Sequence, residues 1–263
     1  MNGEISQMSR IVAAARAALR DDKELEFTAL PYEGPVTFNF CDRKKAGGPL
    51  FHAKDPADWF AHLKSEGVKS IFMVESLKIN RRAVALINHS STTIFVRYSD
   101  DVVTRFVVTW SYNSDLGKWR TEYNEFIAEN APAADPEFRN EASLMGATLK
   151  DIAVLADKLG EEKFAAKFRK AEAILDGETP KLKAGAVLPQ IPEEMVKYYL
   201  AADVADVFGT EGSWNDAPAA KAQKDQTLAK DYMTLSDRLI CSVRLMTMYS
   251  VNFPHRLKSK VIK

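Results

Sequence analysis

The chain has 263 residues, of which 46% are hydrophobic and 27% are charged, and 36 basic residues balance 36 acidic residues to a formal net charge of zero. This balance creates no overall positive field, so nucleic acid is not an expected partner. No uncharged apolar run could span a bilayer, and Arg10, Arg16 and Arg20 interrupt the apolar N-terminal segment, so we expect neither a membrane span nor a signal peptide.

The cysteines and histidines favour a reduced protein without a metal site. Cys41 and Cys241 lie far apart and belong to no CxxC pair, so we expect free thiols in a reducing, cytoplasmic compartment. The four histidines are scattered, and none has a second His or Cys at metal-ligand spacing. No dinucleotide-binding or P-loop motif is present. We therefore expect neither a metal nor a cofactor.

The first part of the chain predicts two helices and a hairpin. Apolar residues recur at helical spacing over residues 4–19. Two short strands, 25–30 and 36–41, flank a proline and glycine cluster typical of a turn, and we expect them to pair with each other. A second helix should begin after Asp55, which is a suitable N-cap residue, and end at Gly67.

Residues 83–126 hold the highest concentration of β-branched and aromatic residues in the chain. The turn-forming breaks within this stretch are too short for a crossover helix, so successive strands should pair antiparallel as a meander. The expected strands are 83–88, 92–98, 102–112 and 118–126. In the third strand, alternate residues from Thr104 to Tyr112 form an apolar face. The opposite face, which includes Arg105 and Val107, is only half apolar.

A helical half follows the strands. An alanine- and proline-containing polar stretch after Ala128 marks a boundary, so we expect a sheet domain over residues 1–128 and a helical domain over residues 129–263 that packs on it. The expected helices span 144–159, 164–175, 193–208 and 228–249. The last helix has the most regular apolar stripe, which favours a central helix or a homo-oligomer contact. The predicted fold class is α+β, with a mainly antiparallel sheet, two packed helices and a helical half.

Four residues on or near the predicted sheet are the candidates for catalysis. Glu75 ends an expected buried strand over residues 69–75, and a lysine follows it one residue too late for the acid-x-lysine spacing of restriction-type nucleases. His89, Arg97 and Arg105 are the other candidates, because they lie on or beside the meander. None of these residues belongs to a recognised catalytic motif.

A glycine-containing junction, VFG followed two residues later by GSWND, lies between two helices of the second half. This segment, Val207 to Asp216, resembles a junction found in uncharacterised bacterial proteins, and the resemblance implies a bacterial cytosolic protein with no known activity. Trp214 is expected to fill the space between the helices. The alternative is an exposed recognition residue, with Glu211 and Asp216 beside it.

These patterns favour a non-enzymatic cytoplasmic binding protein, such as an immunity-type or accessory factor that occludes a surface of another protein. One alternative is an enzyme of the hydrolase or nuclease class, with a site assembled from distant residues near the sheet. A second alternative is a structural subunit that assembles through its last helix. A pocket with convergent charged groups would favour the enzyme, whereas a shallow apolar patch would favour the binding protein.

Overall fold

The computed structural model describes residues 1–43, 49–75, 92–181, 186–209 and 211–254. The helices are α1 (Gly3–Asp21), α2 (Pro56–Ser65), α3 (Ala142–Lys158), α4 (Glu162–Leu175), α5 (Glu193–Ala205), α6 (Ala217–Ala222) and α7 (Gln226–Asn252). The strands are β1 (Glu33–Cys41), β2 (Pro49–Ala53), β3 (Val68–Val74), β4 (Thr93–Tyr98), β5 (Val103–Asn113) and β6 (Lys118–Ile127).

The strands form one six-stranded sheet with the order β2-β1-β6-β5-β4-β3. All neighbours pair antiparallel except β1 and β6, which pair in parallel. This mainly antiparallel sheet, its packed helices and the helical half that follows confirm the predicted α+β class. The meander is confirmed for β4, β5 and β6, whereas the strand expected over residues 83–88 lies outside the described residues.

The hairpin expected between residues 25–30 and 36–41 is wrong. Residues 25–30 form no strand, and β1 pairs instead with β2 and β6. Side chains hold the backbone of this segment in place of a strand partner, since Arg10 Nη1 donates to the carbonyl of Thr28 at 2.7 Å and the Leu30 N–H donates to the Glu33 carboxylate at 2.7 Å. Arg10 and Glu33 also form a buried ion pair with each other.

One face of the sheet is the core face, covered by α1 and α2. Phe38 of β1 stacks on Trp59 of α2 at a ring-centroid distance of 4.7 Å and on Tyr123 of β6 at 4.8 Å. Phe106 of β5 meets Phe38 edge to face, an arrangement that aromatic quadrupoles favour. Asp55 caps the N-terminus of α2 by accepting the Asp58 N–H at 2.8 Å, as its sequence predicts.

The helical half packs around α7. The apolar stripe of this helix is buried against α3 and α5, and its residues Leu239 and Met246 have no exposed surface. Buried residues from both predicted domains belong to the same hydrophobic cluster, which includes Phe38 of the sheet and Phe168 of α4. The stripe therefore contributes to the protein's own core.

The second face of the sheet is covered at one side by residues 128–141, which connect β6 to α3. Arg97 of β4 donates to the carbonyl of Pro132 at 2.9 Å, and Ser70 of β3 donates to the carboxylate of Asp135 at 3.0 Å. Phe72 of β3, on the same face as Ser70, is completely buried. Among the described residues, the connector thus covers β3 and the Arg97 end of β4, and it leaves Phe95 of β4 and the second faces of β1, β6 and β5 open.

Candidate functional site

A groove with a volume of about 840 Å³ lies on this second face, and we call it the open-face groove. Its floor comes from four strands, because side chains that point away from α1 and α2 alternate with core residues along each strand. The floor side chains are Asn39, Cys41, Phe95, Arg105, Asn124 and Phe126. Residues 127–130, at the start of the connector, line one side.

Apolar side chains are exposed next to one another in and beside the groove. Phe126 is 49% exposed and Val107 is 41% exposed. Phe126 pairs with Arg105 and Val107 pairs with Asn124 across β5 and β6, so these residues form one continuous surface. Ile127, at the end of β6, also lines the groove and is 46% exposed. A contiguous exposed apolar surface of this kind is typical of a binding site rather than of ordinary solvent-facing sheet.

A line of hydrogen bonds crosses the groove floor from β2 to β6. His52 Nδ1 lies 2.7 Å from Asn39 Oδ1, and because an amide oxygen can only accept, His52 carries its proton on Nδ1. Asn39 Nδ2 then donates to Asn124 Oδ1 at 2.8 Å, and Asn124 Nδ2 donates to a Glu122 carboxylate oxygen at 3.4 Å. Each residue in this line therefore donates a hydrogen bond to the next one. Each amide nitrogen keeps a second N–H for a ligand.

Arg105 is a charged residue on the groove floor for which the structure describes no partner. Its side chain is exposed, and it makes no ion pair or hydrogen bond with any residue that the structure describes. Glu122, four residues before Phe126 on the same face of β6, already contacts Arg120 at 3.7 Å and accepts from Asn124. The Arg105 guanidinium is thus available for an anion from outside the chain.

Beneath the floor, a buried carboxylate ties three elements together. Glu125 accepts hydrogen bonds from the Tyr98 hydroxyl at 2.8 Å, from the Thr104 hydroxyl at 2.7 Å and from the Cys41 N–H at 3.1 Å. Burial, together with the negative charge of Glu125, raises the pKa of the Cys41 thiol to about 11. Cys41 is therefore a thiol at neutral pH and lacks the thiolate character of a nucleophile.

Glu75 lies on the core side of the sheet, away from the groove. It is 4% exposed, and it accepts a hydrogen bond from the Thr92 hydroxyl at 2.6 Å. Burial raises the pKa of Glu75 to about 7. The neighbouring carboxylates of Asp206 and Glu4 raise this pKa further, whereas Arg244 and the Thr92 hydrogen bond lower it.

Among the described candidates for catalysis, the structure separates Glu75 from Arg97 and Arg105, which lie on the same face of the adjacent strands β4 and β5. Glu75 adjoins Thr92, and Arg97 lies five residues further along β4, which is about 16 Å away at the rise of a strand, on the opposite face. Arg97 is held by the connector carbonyls, and Arg105 is in the groove. His89 lies outside the described residues.

Trp214 lies in the core of the helical half and has no exposed surface. It stacks on Tyr232 at 5.4 Å and meets Phe164 and Phe168 of α4 edge to face. Its Nε1–H donates to the Ser236 hydroxyl at 2.8 Å. The ring is therefore placed as the packing interpretation expects, and burial leaves it no surface with which to anchor a partner.

Glu211 and Asp216, which the sequence places beside Trp214, remain exposed. Asp216 accepts the N–H of Gly212 at 2.9 Å, and Gly212 has a φ of 72°, a backbone conformation that glycine adopts readily. The role of Asp216 here is to stabilise the turn. The structure thus separates the buried indole from the exposed carboxylates.

No family model, curated protein or solved structure matches this chain. No helix in the described part combines the length and hydropathy needed to cross a membrane. Within the described ranges, no group of three or more His, Cys, Asp or Glu side chains is arranged to hold a metal ion. Function therefore has to be inferred from the groove and its side chains.

Of the residues on the groove floor, the sequence identified Arg105 as a candidate but none of the others. The alternation in β5 did mark one face as half apolar, and this is the face that the groove occupies. Asn39 and Asn124 could not be paired from the sequence, because they meet through the parallel contact between β1 and β6, which are distant in the chain. That Phe95 and Phe126 lie on either side of Arg105 can be seen only from the register of β4, β5 and β6.

Proposed function

We propose that the protein is a non-enzymatic binding protein that holds a segment of a partner protein in the open-face groove. The observation that supports this function most directly is the uneven coverage of the sheet. Helices cover the core face, and the connector covers β3 and the Arg97 end of β4, but Val107, Phe126 and Ile127 remain exposed around a groove that also contains the Arg105 guanidinium, which no described residue pairs. Burial of these apolar side chains by a partner removes them from water, and this contributes favourably to the free energy of binding.

The chemistry of the groove floor supports binding rather than catalysis. The Cys41 thiol is protonated at neutral pH, and the amides of Asn39 and Asn124 are held in a fixed line of hydrogen bonds. Glu125 lies behind the floor and already accepts from three donors. Fixed donors beside apolar side chains suit recognition of a ligand, whereas acid–base catalysis requires a group that can exchange a proton with the substrate.

We place this binding activity in a bacterial cytoplasm, where the protein acts as an accessory or immunity-type factor that occludes a surface of its partner. The resemblance of the Val207–Asp216 junction to bacterial proteins supports the bacterial setting. Cys41 and Cys241 are both free thiols, which fits a reducing compartment.

Site-specific photocrosslinking in cells of the source organism tests this function. A benzoylphenylalanine placed at Val107, inside the open face, should give a discrete adduct with a partner protein. The same probe at Val154, an exposed residue of α3 with 52% exposure, is the matched control and should give none. Adding Phe126→Asp to the Val107 variant should abolish the adduct, because it puts a charge in the apolar surface. Equal adducts at both positions, or none at Val107, would contradict the proposal.

A further inference from the structure

We propose that the open-face groove recognises an acidic side chain in an extended partner segment, with apolar side chains on either side of it. This inference rests on the proposed function and names the chemistry of the partner. Four observations carry it: Arg105, which no described residue pairs, the aromatic residues beside it, the amide N–H groups on the same floor, and the fact that the described donors on this floor are side chains and not backbone N–H groups.

The first observation is an uncompensated cation on a partly apolar surface. Among the described residues, Glu122 is engaged by Arg120 and Asn124, and Glu125 points into the core. Asp42 and Glu129 also line the groove, and Asp42 already has an interaction of its own. No ion pair within the described part of the chain joins any of these four carboxylates to Arg105. A guanidinium offers a planar pair of donors that matches a carboxylate. An incoming carboxylate would therefore pair with Arg105 without displacing an internal partner.

The second observation is the placement of aromatic side chains on both sides of Arg105. The register pairs Arg105 with Phe95 on β4 and with Phe126 on β6. Neighbouring strands are about 4.8 Å apart, so an aromatic ring lies roughly one strand spacing away in each direction. In an extended peptide the side chains at positions i−2, i and i+2 point to the same side. A central acidic residue with apolar residues two positions away would fit this arrangement.

The third observation is a second set of donors. The line of hydrogen bonds from His52 to Glu122 fixes the amides of Asn39 and Asn124, and each retains an N–H for a ligand. These donors favour an acceptor, either the carboxylate itself or a carbonyl of the bound segment. Because the amides are already held in place, binding costs little side-chain entropy.

The fourth observation decides between an acidic side chain and a C-terminal carboxylate. Chain termini are commonly captured by successive backbone N–H groups in a nest. The donors that the structure describes on the groove floor are side chains of the paired strands β1, β5 and β6, whose backbone N–H groups belong to the ladders of the sheet. The geometry therefore favours a side-chain carboxylate from a segment that continues in both directions.

Three peptides separate these chemistries. The first is the blocked peptide acetyl-Phe-Ala-Glu-Ala-Phe-amide, the second replaces its Glu by Gln, and the third has Gln with a free C-terminal carboxylate. Binding to the full chain is followed by NMR, through shifts of the Asn39 and Asn124 side-chain amides. The Glu peptide should bind at least tenfold more tightly than either Gln peptide, and added salt should weaken it. Equal binding of the blocked Glu and Gln peptides, or equally tight binding of the free-carboxylate peptide, would overturn the inference.

Arg105→Gln should remove the preference for Glu, and Arg120→Gln is the matched control. Arg120 is an exposed arginine of the same sheet that already pairs with Glu122, so its loss should leave the tenfold preference intact. The NMR spectrum shows whether each variant is folded. If the preference survives Arg105→Gln, the assignment of the carboxylate to Arg105 is wrong. If none of the peptides binds but the probe at Val107 still crosslinks to a partner, the binding function is supported and only the preference for an acidic side chain is contradicted.

Discussion

Glu75 shows how a single buried carboxyl group can make the stability of this fold depend on pH. Burial raises its pKa to about 7 in the folded protein, whereas an unfolded chain has a glutamate pKa near 4.3. The folded state therefore binds more protons than the unfolded state between these two values. The contribution of Glu75 to stability is complete below the unfolded pKa, and it is lost as the pH rises through the folded pKa.

Glu75→Gln should remove this pH dependence. Glutamine retains an oxygen that can accept from the Thr92 hydroxyl, but it carries no charge that burial would penalise. Relative to the parent protein, the variant should gain stability between pH 5 and pH 8, by an amount on the order of 3 kcal/mol. Urea unfolding at both pH values measures the gain.

Glu129→Gln is the control for this comparison, because Glu129 is exposed and its loss should change stability little at either pH. If Glu75→Gln and the parent protein show the same difference in stability at pH 5 and pH 8, Glu75 does not titrate in this range. The pH dependence would then have to come from another buried group.

At the scale of elements, the end of α7 protects an edge of the sheet. An edge strand exposes unpaired N–H and C=O groups to which another chain can pair. On the outer side of β3, the side-chain amide of Asn252 accepts the Met73 N–H at 2.9 Å and donates to the Met73 carbonyl at 2.6 Å. Arg16 of α1 donates to the carbonyls of Ile71 and Asn252 at 2.7 Å and 2.6 Å. Two helices thus supply the hydrogen bonds that a further strand would have supplied.

Asn252→Ala should therefore destabilise the protein through the two Met73 groups that it leaves unpaired. Each buried group without a partner costs about 1–3 kcal/mol, so we expect a loss of roughly 2–4 kcal/mol in the free energy of unfolding. Asn130→Ala, which truncates an exposed asparagine, should stay within about 0.5 kcal/mol of the parent protein. Denaturant titration compares them, and equal midpoints for the two variants would show that water replaces the amide at this edge.

The elements themselves were largely predictable from local patterns. The cap at Asp55, the alternation in β5 and the stripe of α7 each depend on residues close in sequence, and each predicted element is present. The prediction of a strand at residues 25–30 was wrong, because a pattern of strand-forming residues does not show whether a neighbouring strand is present to pair with. Arg10 and Glu33 supply that partner from outside the segment.

The groove was less predictable, because its parts come from strands whose pairing is not local. Arg105 could be named as a candidate from β5 alone, but nothing near it in sequence shows that β1 lies beside β6. The connector was recognised as a boundary, yet its contacts with Ser70 and Arg97 decide which part of the sheet stays open. When a loop covers part of a sheet, the sequence pattern of the covered strands does not differ from that of the open ones.

For the whole molecule, the question is whether the sheet half and the helical half unfold together. Buried residues of both halves form one hydrophobic cluster, and Arg16 connects α1 to β3 and to the end of α7. In a two-state protein, elements that share one hydrophobic core unfold as a unit. A lesion deep in the helical half should therefore weaken the sheet as well.

Trp214→Ala is the lesion that tests this coupling. It removes a buried indole that packs on Tyr232, Phe164 and Phe168, so the expected cost is about 3–5 kcal/mol. Met233→Ala is the control, because Met233 is 56% exposed on α7 and its truncation should cost little. Hydrogen exchange along a urea series reports β1, β6 and α4 separately. If the halves are coupled, Trp214→Ala lowers the midpoints of all three elements equally. If the midpoint of α4 falls while those of β1 and β6 stay at the parent value, the two halves are independent domains that meet at Ala128.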